Sequence, residues 1–319
     1  NGIACFQKNG MVTIAANGLQ FVDAAFFERY PTYMEFDGID NDAIAGMYAD
    51  NMKKMGFFDK GYKLGIITWA EPGYANPTKD VLVPRLQQLG VEIADVTYIT
   101  PNQSGGEAAT PIAQIGNTAL RYKNDNITHV MLMDSHGSLM FFFGQAAERQ
   151  QYRPRYGLHS GSGGTALANA FSGTTGEQDA RNQFEDAVMI GWWPTIDVRF
   201  EDIPSWGKSP RKKVCHKIMR QAGIEMPDAN AEGLAENVCN NVWAIQATLD
   251  AIPGNVINQQ TWYQSLARVS QMNLVLTNSP DPIRLSPSRR DPLENYARAK
   301  FYDDCICFKY VSGRLPIPD

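Results

Sequence analysis

The stretch THVMLMDSHGSLMFFFGQAAERQQYRPRYGLHSGSGG, Thr128 to Gly164, decides the fold class. An apolar run stops at Asp134, an amphipathic segment follows the turn at 134–137, and a second apolar run ends at His159 in serine and glycine. Short apolar runs bounded by turn residues suit strands buried on both faces, and helical spacing suits the segment between them. Strand, helix and strand without a hairpin turn make a βαβ unit, whose strands run parallel. Asp134, Ser135, His136, His159 and Ser160 therefore collect where strands end and helices begin. In open α/β sheets that edge holds ligands.

The same alternation extends outward. YKLGIITW (62–69) reads as a strand. TKDVLVPRLQQLG (78–90) reads as a helix, with Asn76 as its cap, Pro77 in its first turn and a kink at Pro84. VEIADVTYI (91–99), EAATPIAQIGNTALRYKN (107–124), TALANAFSG (165–173) and EDAVMIGWW (185–193) continue as strand, helix, helix and strand. Upstream, MVTIAANG (11–18) is a strand and DAIAGMYADNMKKMG (42–56) a helix. After Trp193 come three helix-like stretches at 209–223, 231–252 and 258–269. Strands are expected at 271–277 and 305–311, with a Pro-rich loop at 278–292. The fold class is α/β, with doubly wound parallel sheets.

A chain of 319 residues is long enough for two domains. With 44% hydrophobic and 20% charged residues it has the composition of a soluble globular protein. The net charge of −5 supplies no general attraction to nucleic acid or anionic lipid. No apolar run reaches the roughly 20 residues that span a bilayer, so no direct membrane insertion is expected. The basic cluster Lys208, Arg211, Lys212 and Lys213 reads as a solvated helix end.

Catalytic motifs do not fit. GLHSGSGG (157–164) has the turn and the serines of a nucleophile elbow but not the G-x-S-x-G spacing. GSGGTA (161–166) lacks the third glycine of a dinucleotide loop, and no Walker lysine follows a glycine loop. His129 lies inside a strand and reads as structural rather than as a metal ligand beside His136 and His159. Asp134 reads as a helix N-terminal charge rather than a general base. No cofactor or metal is expected. Trp69, Tyr74, Trp192 and Trp193 fall at or beyond strand ends, where aromatic walls line small-molecule pockets. For Trp192 and Trp193, packing between domains explains the position equally well. Helix starts at these loops are expected to offer unpaired N–H groups to an anion.

The five cysteines show no CxxC pair and no zinc spacing. They read either as buried free thiols or as the cysteines of an oxidised extracytoplasmic protein. In the second case Cys215 and Cys239, on successive helices joined by a short loop, are expected to form a disulfide. Cys5 is expected to pair with a segment preceding this chain.

KLGIITWAEPGYANPTKDVLVPRLQQLGVEIADVTYITP (63–101), the stretch at 127–163 and KNGMVTIAANG (8–18) together resemble the type I periplasmic binding proteins, the branched-chain amino-acid receptor group of ABC importers. The likeness covers 10–193 in sequence and the remainder in the order of elements. It implies two doubly wound lobes joined by three crossovers that close on a ligand: residues 1–37 and 195–300 in lobe 1, and 38–194 and 301–319 in lobe 2. The crossovers are expected near 36–38, 191–195 and 301–305. The family's ligand loops map to Ala15, Ala16 and Asn17, to Trp69, Glu71 and Tyr74, to Ser135 and His136, and to Ser160. Two departures stand out. Lobe 1 lacks the family's opening elements and reads as N-terminally truncated. The loop after RYGLHS carries Ser160, Gly161 and Ser162 where amino-acid binders carry an acid, so that Glu71 or Asp134 supplies the charge or the ligand lacks an ammonium.

The resemblance implies an extracytoplasmic solute-binding protein, periplasmic or lipid-anchored at the cell surface. It would deliver a small polar, amino-acid-like or carboxylate-bearing molecule to the membrane subunits of an ABC importer. A ligand-sensing receptor domain of the same fold is the alternative. An enzyme using Asp134, His136 and Ser160 is a third.

Overall fold

The apolar runs become strands and the amphipathic segments helices. A computed structural model describes residues 2–15, 22–36, 38–59, 61–101, 109–135, 137–172, 181–227, 229–266, 268–269 and 293–318. Ala16, Asn17, His136, the strand expected at 271–277 and the loop at 278–292 lie outside these residues.

The chain opens with α1 (Gly2–Lys8), β1 (Thr13–Ala15), α2 (Ala24–Arg29) and β2 (Tyr33–Glu35). An alternating stretch follows: α3 (Asn41–Lys54), β3 (Leu64–Trp69), α4 (Pro72–Pro77), α5 (Val83–Gln88), β4 (Ile93–Ile99), α6 (Ala109–Asn124) and β5 (His129–Met133). It continues through α7 (Ser138–Arg149), β6 (Arg155–His159), α8 (Gly164–Ser172) and β7 (Val188–Gly191). Then come α9 (Pro194–Asp197), α10 (Pro210–Gln221), α11 (Ala229–Asp250) and α12 (Gln259–Leu266). The strands β8 (Asn295–Tyr302), β9 (Cys307–Tyr310) and β10 (Leu315–Pro316) end the described chain. Two units result. Unit 1 holds Asn1–Asp40, Trp192–Thr195 and Phe200–Asn295; unit 2 holds Asn41–Gly191, Ile196–Arg199 and Tyr296–Asp319.

In unit 2 the strand order is β10-β8-β7-β6-β5-β3-β4, with β9 paired to β8. From β4 to β7 every pair is parallel, as the βαβ reading requires. Leu64 to Thr68 in β3 and all of β5 are buried, which is why these strands read as unbroken apolar runs rather than alternating ones. Ile67, Val130, Leu132, Phe143, Tyr156, Leu158 and Phe184 belong to one core cluster around the sheet. The final strands depart from the parallel pattern. β8 runs antiparallel to β7, and a turn returns the chain as β9.

The helix after β3 begins earlier than its proline pattern suggests. Pro72 takes the first helical position, with Glu71 before it, and Pro77 lies inside the helix. Proline has no N–H for the carbonyl four residues back. For Pro77 that carbonyl is Gly73, and the buried side-chain amide of Asn41 donates to it at 2.6 Å. A π-helical turn, Thr78–Leu82, then joins α4 to α5, with the Val83 N–H bonding Thr78 O five residues back. The wider spacing carries the path past Pro84.

Unit 1 pairs β1 with β2 in parallel, Thr13 opposite Tyr33. Val22, Phe27, Tyr30 and Tyr33 pack there, and Asp23 caps α2 by accepting from Phe26 N at 2.7 Å. Ser209 and Pro210 start α10 as cap and first residue. The expected Cys215–Cys239 disulfide joins α10 to α11, with Cα atoms 5.9 Å apart. A second disulfide, Cys305–Cys307, spans the turn between β8 and β9. Two-residue spacing gave no sequence signal for it. Cys5 is a free, exposed cysteine.

Candidate functional site

β6, β5 and β3 are parallel neighbours in unit 2, so their carboxyl ends lie side by side. Thr68 pairs with Met133, which places Trp69 and Asp134 one residue further along adjacent strands. The loop after β5 meets the loop after β6 through Gly137 N, which donates to Gly161 O at 2.7 Å. A Cβ on Gly161 would stand 2.6 Å from the Asp134 carbonyl oxygen, so glycine is required for this approach.

Asp134 is fully buried and organises the turn. Its Oδ1 accepts from Ser135 N (2.7 Å), Leu139 N (3.0 Å) and Ser138 Oγ (3.2 Å), and its Oδ2 accepts from Met140 N (3.0 Å). Burial pushes its pKa up to about 6 although four donors pull the other way. The carboxylate thus acts as the helix N-terminal charge read from the sequence. It also takes first-turn N–H groups of α7 that position alone would have left for an anion, a correction to that expectation.

His159 is held as a neutral ring. Its Nδ1 accepts from Gly161 N at 3.1 Å, and Asp134 N lies 3.4 Å from its Nε2. Burial lowers its pKa to about 3. The Tyr48 ring packs edge-on at 5.4 Å. The Tyr48 hydroxyl donates to Gly157 O and accepts from Leu132 N at 3.2 Å, and burial raises its pKa far above that of a free phenol.

Ser160 donates from Oγ to Asp197 Oδ2 at 2.9 Å, and Tyr310 OH donates to the same oxygen at 2.8 Å. Thr165 Oγ1 donates to the Asp197 carbonyl at 2.8 Å. Asp197 and Tyr310 escape sequence reading because they arrive from 37 residues after Ser160 and from 113 residues further still. Nothing local in PTID or in the last strands marks them. The acid absent from the loop after β6 is therefore supplied to Ser160 by α9. Asp134 and His159 accept from backbone N–H groups of their own turns, and the Ser160 hydroxyl donates to Asp197.

Trp69 is half-buried at the end of β3 and packs on the core cluster. Tyr74 is fully enclosed in α4, and its carbonyl accepts from Thr78 Oγ1 at 2.7 Å. Ser135 is buried beside Asp134. Glu71 differs from the other acids here. It is half-buried and makes no side-chain capping bond to α4. Its Oε2 is enclosed without a hydrogen-bond partner. Burial raises its pKa. In unit 1, Ala15 ends β1 half-buried, and Trp192 and Trp193 are buried edge-to-face at 6.1 Å. His129 is buried within β5, its ring 3.3 Å from Asp59, which fits the structural role read for it.

No protein-family model matches the sequence, and no curated protein matches it. Similar solved structures are found. A leucine-binding protein, LivK, from Thermotoga maritima superposes with a TM-score of 0.60 at 10% identity, covering 98% of this chain and 75% of that one. An ABC-transporter substrate-binding protein from Aeropyrum pernix gives 0.65 at 11% identity, covering 99% and 73%. A solute-binding protein of an ABC transporter from Rhodopseudomonas palustris, in complex with 4-hydroxybenzoate, gives 0.65 at 12% identity, covering 99% and 75%. With parallel βαβ units, a ligand-type edge at the strand carboxyl ends and this agreement over nearly its whole length, the chain has the fold of the type I periplasmic solute-binding proteins.

Proposed function

We propose that this protein is an extracytoplasmic solute-binding protein that captures a small molecule at the carboxyl edge of the unit 2 sheet and presents it to the membrane subunits of an ABC importer. The observation that carries this reading is Glu71. An enclosed acceptor without a partner costs roughly 1–3 kcal/mol, and a ligand ammonium or hydroxyl would satisfy it. Half-buried Trp69, two residues earlier, offers an aromatic wall. The other candidates, Asp134, Ser135 and Ser160, shape the edge by holding its loops. The ligand class is then a small molecule with a hydrogen-bond donor beside an apolar or planar body. Leucine and 4-hydroxybenzoate, named for two similar structures, each carry such a donor.

Two disulfides support an oxidising compartment. No described helix is long and apolar enough to cross a membrane. The test is mass spectrometry of the purified protein under non-denaturing conditions, followed by analysis of what is released on denaturation. An adduct at one per chain, released with unchanged mass after prolonged incubation, is expected. A new chemical species formed from that molecule would overturn binding in favour of catalysis.

A further inference from the structure

Unit 1 carries a cavity that the reading of unit 2 does not use. It has a volume of about 390 Å³, within the range of small-molecule sites. One wall is α10, where Lys212, His216 and Arg220 recur every fourth residue and so share a helix face. Lys208 and Lys213 add to the same lining, while Phe200 and Ile203 form an apolar wall. Among the described residues, no Asp or Glu lines it. The basic cluster is thus more than a solvated helix end: Lys212 and His216 are buried, at 9% and 8% exposure.

The acid nearest this row is already matched. Buried Glu236 on α11 meets Lys212 Nζ at 2.7 Å, His216 Nε2 at 2.8 Å and the Thr195 hydroxyl at 2.8 Å. His216, Glu232 and Glu236 also bring metal-type donor atoms within 4.8 Å of one another. The Lys212 ammonium already supplies the positive charge at that point, however, and a cation would have to displace it. Lys213 and Arg220 are exposed on the cavity side and make no ion pair among the described residues. Phe200 is 62% exposed, an unusual position for a large aromatic residue, and Lys212 Nζ lies 5.1 Å from its ring centre. Cationic side chains facing an exposed aromatic surface match one ligand chemistry, an anionic head on an apolar body.

We propose that the α10 cavity of unit 1 binds a small organic acid, its anionic group held by Lys213 and Arg220 and its apolar body against Phe200 and Ile203. This site is independent of the Glu71 edge.

Isothermal titration of the full chain with sodium benzoate tests it, with benzyl alcohol as the uncharged counterpart. Wild type should bind benzoate and not benzyl alcohol. K213E/R220E should weaken benzoate binding roughly tenfold or more through loss of the attractive charges, and F200A should weaken it too. K213R/R220K should retain it. E71Q should leave the benzoate affinity attributable to this cavity unchanged, which separates the site from the edge of unit 2. Both exposed-charge variants should melt at the wild-type temperature without benzoate, so that loss of binding is not loss of fold. Absence of benzoate binding to wild type, equal binding of benzyl alcohol, or affinity that falls in E71Q but not in K213E/R220E would each overturn the proposal.

Discussion

Asp134 and His159 brace the same turn but bias stability with pH in opposite directions. The folded-state pKa of Asp134, about 6, lies above its ordinary 3.8. The folded protein therefore holds a proton that the unfolded chain has released, and the resulting stability is full below pH 3.8 and lost as pH rises through about 6. His159 falls from 6.5 to about 3. There the unfolded chain binds the proton first, so stability is full above pH 6.5 and lost as pH falls towards 3. A shift of two units corresponds to roughly 3 kcal/mol, so between pH 4 and 6 the two contributions largely offset each other. In D134N the His159 contribution should stand alone, and stability should gain more from pH 4 to 6 than in wild type. In H159Q it should decline over the same interval. Urea unfolding at pH 4, 5 and 6 measures both, and profiles parallel to wild type would show that neither group titrates as described. The sequence placed Asp134 at a helix start, because a strand end followed by helical spacing is a local pattern. That Asp197 reaches Ser160 was not legible, because the contact depends on how α9 returns to unit 2.

Among the elements, the path from β3 through α4 and α5 depends on a substitution of donors. Pro77 cannot bond Gly73 O, and Asn41 on α3 does so instead. N41A should leave a buried carbonyl unsatisfied and cost roughly 1–3 kcal/mol. P77A restores a backbone N–H, so N41A/P77A should be destabilised by less than N41A alone. Chemical denaturation of the two single variants and the double variant checks this coupling; additive effects would contradict it. Helix starts are hard to read where prolines follow one another, because each fits a first turn equally well. The alternating elements from Leu64 to Gly191 were legible because their apolar spacing is local. The β8–β9 hairpin and the Cys305–Cys307 bridge were not. Their partners are set by antiparallel return of the chain after a Pro-rich stretch, and Ile306 in the bridge adopts φ of 51°, which no isoleucine preference predicts.

For the whole molecule, the proposed capture of a small molecule assigns the ligand-facing charge to Glu71 rather than to the more prominent Asp134. A ligand that binds the folded protein raises its melting temperature by mass action. The most direct measurement is the thermal shift that the molecule released from the native protein produces in ligand-free wild type and in E71Q. Wild type should show a concentration-dependent rise, with roughly 10- to 100-fold more ligand needed for the same rise in E71Q, as expected when a charge-assisted hydrogen bond of about 1.5–3 kcal/mol is lost. Equal shifts in the two proteins would contradict the assignment of Glu71, and no shift in wild type would contradict the binding function itself.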